Sequence, residues 1–182
     1  PPPRSPAPNS RQPSQWSGRQ LKGFRHGLTD CQTQDSIDEN ASFARSGGWS
    51  GRESPPSLGM DIRGKTLGVI GFGRIGQEVT RRMKSLGMCT LWNDIFEGLP
   101  KGAPESEYRT LNDLLAESDF VSLHANLAES SSHVIGENEL SRMKPEAFLV
   151  NTARGGLVDQ PALTRALESG QIAGAGLDVL ES

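Results

Sequence analysis

From Ile62 onward the chain repeats one unit: a short run of β-forming residues, a turn, then apolar residues at helical spacing. Thr66-Leu67-Gly68-Val69-Ile70 opens the series and ends in glycines. Ile75, Val79, Met83 and Leu86 follow at helical intervals, which predicts one apolar helix face that Gly87 closes. Cys89 to Trp92 reads as a second strand, and a Gly/Pro-rich loop runs from Gly98 to Pro104. Thr110 is placed to cap a helix ending near Glu117. Strands are then expected at Phe120–Leu123, Phe148–Val150 and Ala173–Val179, with helices at Glu137–Met143 and Pro161–Leu167. Strands alternating with helices require right-handed crossovers, so the predicted fold is α/β, a doubly wound parallel sheet covered on both faces.

The first third of the chain has another character. Six of its 12 prolines fall within the first 13 residues, and the stretch to Ser36 is otherwise mostly Ser, Gln, Arg and Gly. Such a segment cannot bury enough surface to offset chain entropy, so residues 1–57 are expected to be disordered, apart from a short helix near residues 36–46. Residues 1–60 carry 7 basic and 5 acidic side chains, and residues 61–182 carry 12 and 17, so the boundary is also one of charge. A formal charge of -3 argues against nucleic-acid or membrane-surface binding. Cys31 and Cys89 are too few for a disulfide framework and lack metal-ligand spacing, so no metal site is expected and Cys89 is read as buried packing. With no signal-peptide pattern and no apolar run near the length that spans a bilayer, the chain is expected to work in the cytoplasm. It begins without Met and stops within an apparently ordered segment, so a fragment is expected.

Between the first strand and the first helix stands Gly71-Phe72-Gly73-Arg74-Ile75-Gly76, a G-x-G-x-x-G. The pattern alone is weak, because small residues also serve turns that bind nothing. Its position strengthens it: Gly71 permits the turn, Gly73 leaves no Cβ in a pyrophosphate's path, and Gly76 lets helix and strand pack closely. Asp94 lies 18 positions beyond Gly76, at the end of the second strand, where a carboxylate accepts hydrogen bonds from an adenosine ribose. A carboxylate there repels a 2′-phosphate, so NAD is expected over NADP, with the domain a Rossmann NAD-binding unit over residues 58–182.

Three further stretches are more specific than the fold. Asn151-Thr152-Ala153-Arg154-Gly155-Gly156-Leu157-Val158-Asp159, preceded by Met143 to Val150, resembles the signature of the D-isomer-specific 2-hydroxyacid dehydrogenases. The segment from Leu114 to Gly136, centred on Ser118-Asp119-Phe120-Val121-Ser122-Leu123-His124, resembles another signature of that family. The resemblance runs from about Ser46 to Ser182 and takes in Gly48-Trp49-Ser50 and Arg63 to Gly68, but not the first 40 or so residues.

The resemblance implies hydride transfer between NAD(H) and C2 of a small 2-hydroxy or 2-oxo acid. It makes Arg154 the catalytic arginine that orients the substrate's carboxylate and carbonyl, a task suited to a planar, always-charged fork of donors. It places Asp178 near the nicotinamide carboxamide, Thr152 and Ala153 along the nicotinamide, and the amides of Arg74 and Ile75 on the pyrophosphate. His124 is read as cofactor-pocket lining, and His133 has no motif support. The family's catalytic glutamate and histidine would follow Ser182, which implies that this chain binds NAD and does not turn over substrate. A homodimer is the expected assembly. Two departures stand out. Glu146 replaces a usual glycine, with an expected cost of about 1 kcal/mol. Asn126 replaces a usual proline and resembles the C-terminal-binding-protein branch, which raises the alternative of an NAD-sensing corepressor or scaffold, nuclear rather than cytoplasmic.

Overall fold

A computed structural model of the chain describes residues 41–47, 61–96 and 98–181. The Pro-rich segment, the Gly48-Trp49-Ser50 stretch and residues 36–40 of the helix expected over 36–46 lie outside the described residues; residues 41–45 are helical. The remainder forms β1 (Thr66–Ile70), α1 (Arg74–Ser85), β2 (Cys89–Asn93), β3 (Glu107–Tyr108), α2 (Leu111–Glu117), β4 (Phe120–Leu123), α3 (Glu137–Leu140), β5 (Phe148–Asn151), α4 (Gln160–Glu168) and β6 (Gly174–Leu177). All six strands are parallel, in the order β3-β2-β1-β4-β5-β6. The order reverses between β1 and β4, and this switch point opens the crevice in which doubly wound sheets bind ligands.

Alternation along β1 shows why both faces are covered. Leu67 and Val69 join Val79 and Met83 of α1 on one face, whereas Ile70 joins Leu114, Val121 and Leu149 on the other. Gly68 sits opposite α2, where a Cβ would collide with Ser118 and Leu114, so this glycine sets how closely α2 lies on the sheet. The helix ends follow local chemistry. Thr110 Oγ1 accepts from the Asp113 amide, Asp159 Oδ1 accepts from the Ala162 amide at 3.0 Å, and Gly87 turns the chain after α1 with φ +88°. Below the sheet, Asp119 accepts from the Thr66 amide and from Lys144 Nζ. Burial alone would raise its pKa, but these two donors outweigh it and hold the carboxyl below its usual value.

Several expectations need correction. Ile75 and Leu86 are exposed; the buried face of α1 is Gly76, Val79, Thr80 and Met83, because Ile75 lies in the first turn above the sheet edge and Leu86 is the residue closing the helix. Cys89 is exposed, since the buried position at the start of β2 is taken by Met88. Glu146 is not strained. It occupies the third position of a Lys144–Ala147 turn closed by a 2.9 Å hydrogen bond, and among the described residues His133 is the one non-glycine with positive φ. The turn therefore admits any L-residue there, and the expected cost disappears. The pattern also passes over β3, whose two residues are too few to display a period. No helix among the described residues is long and apolar enough to cross a membrane.

Candidate functional site

In an all-parallel sheet every strand delivers its C-terminal end to the same edge. Gly71 to Gly76 follow β1, Asp94 follows β2, His124 follows β4, Thr152, Ala153 and Arg154 follow β5, and Asp178 follows β6. The topology thus brings every sequence-predicted site residue to one edge, around the switch point.

The glycine loop is built as its spacing requires. Gly71 has φ +91°, and a Cβ there would strike the main chain of His124 and Ala125. At Gly76 a Cβ would strike the Gly71 carbonyl oxygen and lie 3.0 Å from a Val69 methyl. Gly73, in contrast, has nothing within 4 Å of its Cβ position. Two glycines are demanded by the fold, and the middle one faces open space. Gly73 is also the N-cap of α1, with no side chain capping the helix and no acidic residue in its first turn. The first intrahelical bond runs from the Gln77 amide to the Gly73 carbonyl, so the amides of Arg74, Ile75 and Gly76 precede it and remain available to an anion.

Asp94 is turned toward this loop. Its Oδ2 accepts from the Phe72 amide at 2.6 Å, which leaves Oδ1 for a ligand. Phe72 is a residue that motif reading passes over. Its ring stacks on Trp92 with centroids 4.7 Å apart, its amide goes to Asp94, and its carbonyl accepts from Gln77 Nε2 at 2.9 Å. The loop's main chain is therefore held by a buried aromatic anchor. The signal for it was the aromatic residue between two glycines with a Trp in the adjacent strand.

On the other side of the switch point, burial pushes the His124 pKa down to about 4, so the ring is neutral. Arg154 is exposed, donates from Nη1 to the Ala153 carbonyl at 2.7 Å, and has no carboxylate partner among the described residues. Its turn is held from within by Asn151, which is 1% exposed: Nδ2 donates to the Arg154 carbonyl at 2.9 Å and Oδ1 accepts from the Ala153 amide at 3.0 Å. Asn151 was legible as part of the motif but not as the residue shaping it. The Asp178 amide donates to the Asn151 carbonyl, which ties the end of β6 to the same turn, and the Asp178 side chain is exposed. Asp159, the last motif residue, caps α4, and His133 pairs with Glu181 at 3.0 Å. The open cradle, the uncapped amides and the inward carboxylate fit a dinucleotide's pyrophosphate and ribose.

Residues 32–182 match the family described as D-isomer specific 2-hydroxyacid dehydrogenase, NAD binding domain, so the likeness begins ahead of Ser46. The chain is 47% identical over 151 residues to a glyoxylate reductase of Thermococcus litoralis, covering 80% of this chain and 45% of that one. It is 51% identical over 148 residues to a glyoxylate reductase of Korarchaeum cryptofilum, covering 80% and 44%. Among solved structures, a glyoxylate reductase from Paecilomyes thermophila superposes with a TM-score of 0.70 at 43% identity, covering 81% of this chain and 44% of that one. The NAD-complexed D-isomer specific 2-hydroxyacid dehydrogenase of Lactobacillus delbrueckii ssp. bulgaricus gives 0.68 at 36%, covering 80% and 44%. The chain thus spans a little under half the length of these relatives. The corepressor alternative raised by Asn126 gains no support from them. By its fold, its cradle and these matches, the chain belongs to the D-isomer-specific 2-hydroxyacid dehydrogenase family and corresponds to that family's NAD-binding domain.

Proposed function

We propose that these residues form the cofactor-binding half of an NAD-dependent oxidoreductase acting on the CH–OH group of a small 2-hydroxy acid, or on the matching 2-oxo acid. The amides of Arg74, Ile75 and Gly76 take the pyrophosphate at the positive end of α1, and Asp94 takes the adenosine ribose. His124, Thr152, Ala153 and Asp178 border the nicotinamide end, and Arg154 holds the substrate's carboxylate. When bound, NADH supplies the hydride. The protein's share is to hold the dinucleotide in register and to present an unpaired guanidinium to the acid. The relatives include reductases of glyoxylate and of 4-methyl-2-oxopentanoate, acids that share a 2-oxo carboxylate and differ in side chain. Arg154 addresses the shared part, so the substrate class follows and its side chain does not. Homodimerisation and a cytoplasmic site of action belong to the same proposal.

One observation carries the reading: uncapped first-turn amides facing open space at Gly73, with the Asp94 carboxylate hydrogen-bonded to the same loop. The test is a fluorescence titration of the chain with NADH and NADPH. Saturable NADH binding is expected, with NADPH at least tenfold weaker, and Asp94→Ala should narrow that ratio. Equal binding of both, or none of NADH at millimolar concentration, would refute the assignment. Sedimentation of the chain with and without NADH tests the dimer.

A further inference from the structure

Ser122 and His124 lie on the same face of the chain leaving β4, two residues apart. Ser122 is fully buried in the middle of the sheet, between Val69 of β1 and Val150 of β5. Its hydroxyl lies 2.9 Å from His124 Nε2 and has no other partner among the described residues. A hydroxyl sealed from water must place its proton on an acceptor, or it bears the cost of an unmet donor. The acceptor within reach is Nε2. Were Nε2 to carry a proton instead, the serine proton would have no destination. The ring is neutral, so its single proton sits on Nδ1.

Nδ1 has no partner among the described residues and is not among the buried polar atoms left unpaired, so solvent reaches it. The residue backs onto Gly71, whose missing Cβ is what allows the main chain of His124 and Ala125 to lie against the glycine loop. A neutral N–H donor that solvent reaches therefore stands just past the end of β4, on a residue whose main chain lies against the glycine loop.

We infer that His124 donates a hydrogen bond through Nδ1–H to an oxygen of the bound dinucleotide, and that the Ser122 hydroxyl is the positioning group that selects this tautomer. The inference rests on the NAD-binding reading above and adds to it a named donor and the residue that arms it. Ser122 touches no ligand; it acts through the ring.

The test starts on the unmodified chain, uniformly labelled with nitrogen-15. At neutral pH the long-range nitrogen–proton correlations of His124 should show a protonated Nδ1 and a bare Nε2; the opposite tautomer would overturn the inference without any variant. Ser122→Ala should mix the two tautomers and weaken NADH binding severalfold. His124→Asn, which keeps an N–H donor near the Nδ1 position, should bind NADH within about threefold of the unmodified chain, whereas His124→Phe should bind about tenfold more weakly. If Ser122→Ala does not fold, the spectrum and the Asn/Phe pair still decide. NADH binding by the unmodified chain with His124→Phe unimpaired would overturn the donor role and leave the NAD reading standing. Failure of the unmodified chain to bind NADH would overturn both.

Discussion

Gly73 and Gly76 are two glycines of one motif with opposite duties, and exchanging each separates fold from function. Gly73 has φ -71° and ψ -167°, a conformation open to any L-residue, and nothing lies within 4 Å of its Cβ position. Gly73→Val loses the mild preference for glycine at an N-cap, about 1 kcal/mol at most, and regains about 0.4–1 kcal/mol through a stiffer unfolded chain. Its stability should stay within about 1 kcal/mol of the unmodified chain. The same side chain stands in front of the Arg74, Ile75 and Gly76 amides. Losing two charge-assisted hydrogen bonds at about 1.5 kcal/mol each removes about 3 kcal/mol, or roughly 100-fold in NADH affinity. Gly76→Ala does the reverse. Its methyl meets the Gly71 carbonyl and a Val69 methyl, and overpacking against main chain costs about 1–3 kcal/mol, only partly offset by better helix propensity. Urea denaturation followed by circular dichroism gives the stabilities, and NADH fluorescence gives the affinities. A Gly73→Val chain that binds NADH within threefold of the original would refute the pyrophosphate assignment, whatever its stability.

Three other expectations follow from the same geometry. The His124 pKa is pushed down by burial from an ordinary 6.5 to about 4, so the unfolded chain takes up a proton first as pH falls; about 3 kcal/mol of stability present above pH 6.5 should drain away toward pH 4, and His124→Gln should lack that loss in urea melts. Asn151→Asp keeps the acceptor for Ala153 but turns a second oxygen toward the Arg154 carbonyl in a site closed to water, which should cost about 3 kcal/mol at neutral pH and recover as the solution is acidified; a loss that does not change with pH would contradict this account. Asp119→Asn keeps an acceptor for the Thr66 amide but gives up the charge facing Lys144, so it should lower stability by about 1 kcal/mol while leaving NADH affinity unchanged, because both partners lie at the opposite edge of the sheet from the cradle.

How much of this was legible follows from what each signal depends on. Strand identity depends on local runs of β-type residues. β1 and β4 have the predicted bounds, and β2 and β5 extend one residue beyond theirs, whereas the two residues of β3 owe their place to pairing with Leu91 and Trp92 and carry no period of their own. The apolar stripe marks helix α1 but not the face it buries. A stripe through Ile75 and Leu86 assumes burial along the whole helix, yet in the first turn it is Gly76 that meets β1 while Ile75 is exposed, and Leu86 closes the helix facing solvent. Periodicity reports that a helix exists; the surface it meets decides which residues are buried.

The site divides along the same line. Main-chain requirements are written into residue type: positive φ at Gly71 and contact at Gly76 each exclude a side chain, so the glycine pattern and the Asp94 interval locate the cradle before any fold is known. The groups that hold the cradle in shape leave no such mark. Phe72 stacking on Trp92, Asn151 bracing the Arg154 turn and Ser122 orienting His124 act through neighbours brought close by the topology, and an Asn, a Ser or a Phe at those positions looks like ordinary core until the partner is seen. Glu146 shows the converse error. A residue type unusual for a turn suggests strain, but a turn closed with φ below zero asks nothing of its third residue. Residue type therefore marks a position when the main chain itself imposes the constraint, and stays silent when the constraint comes from a side chain far away in sequence.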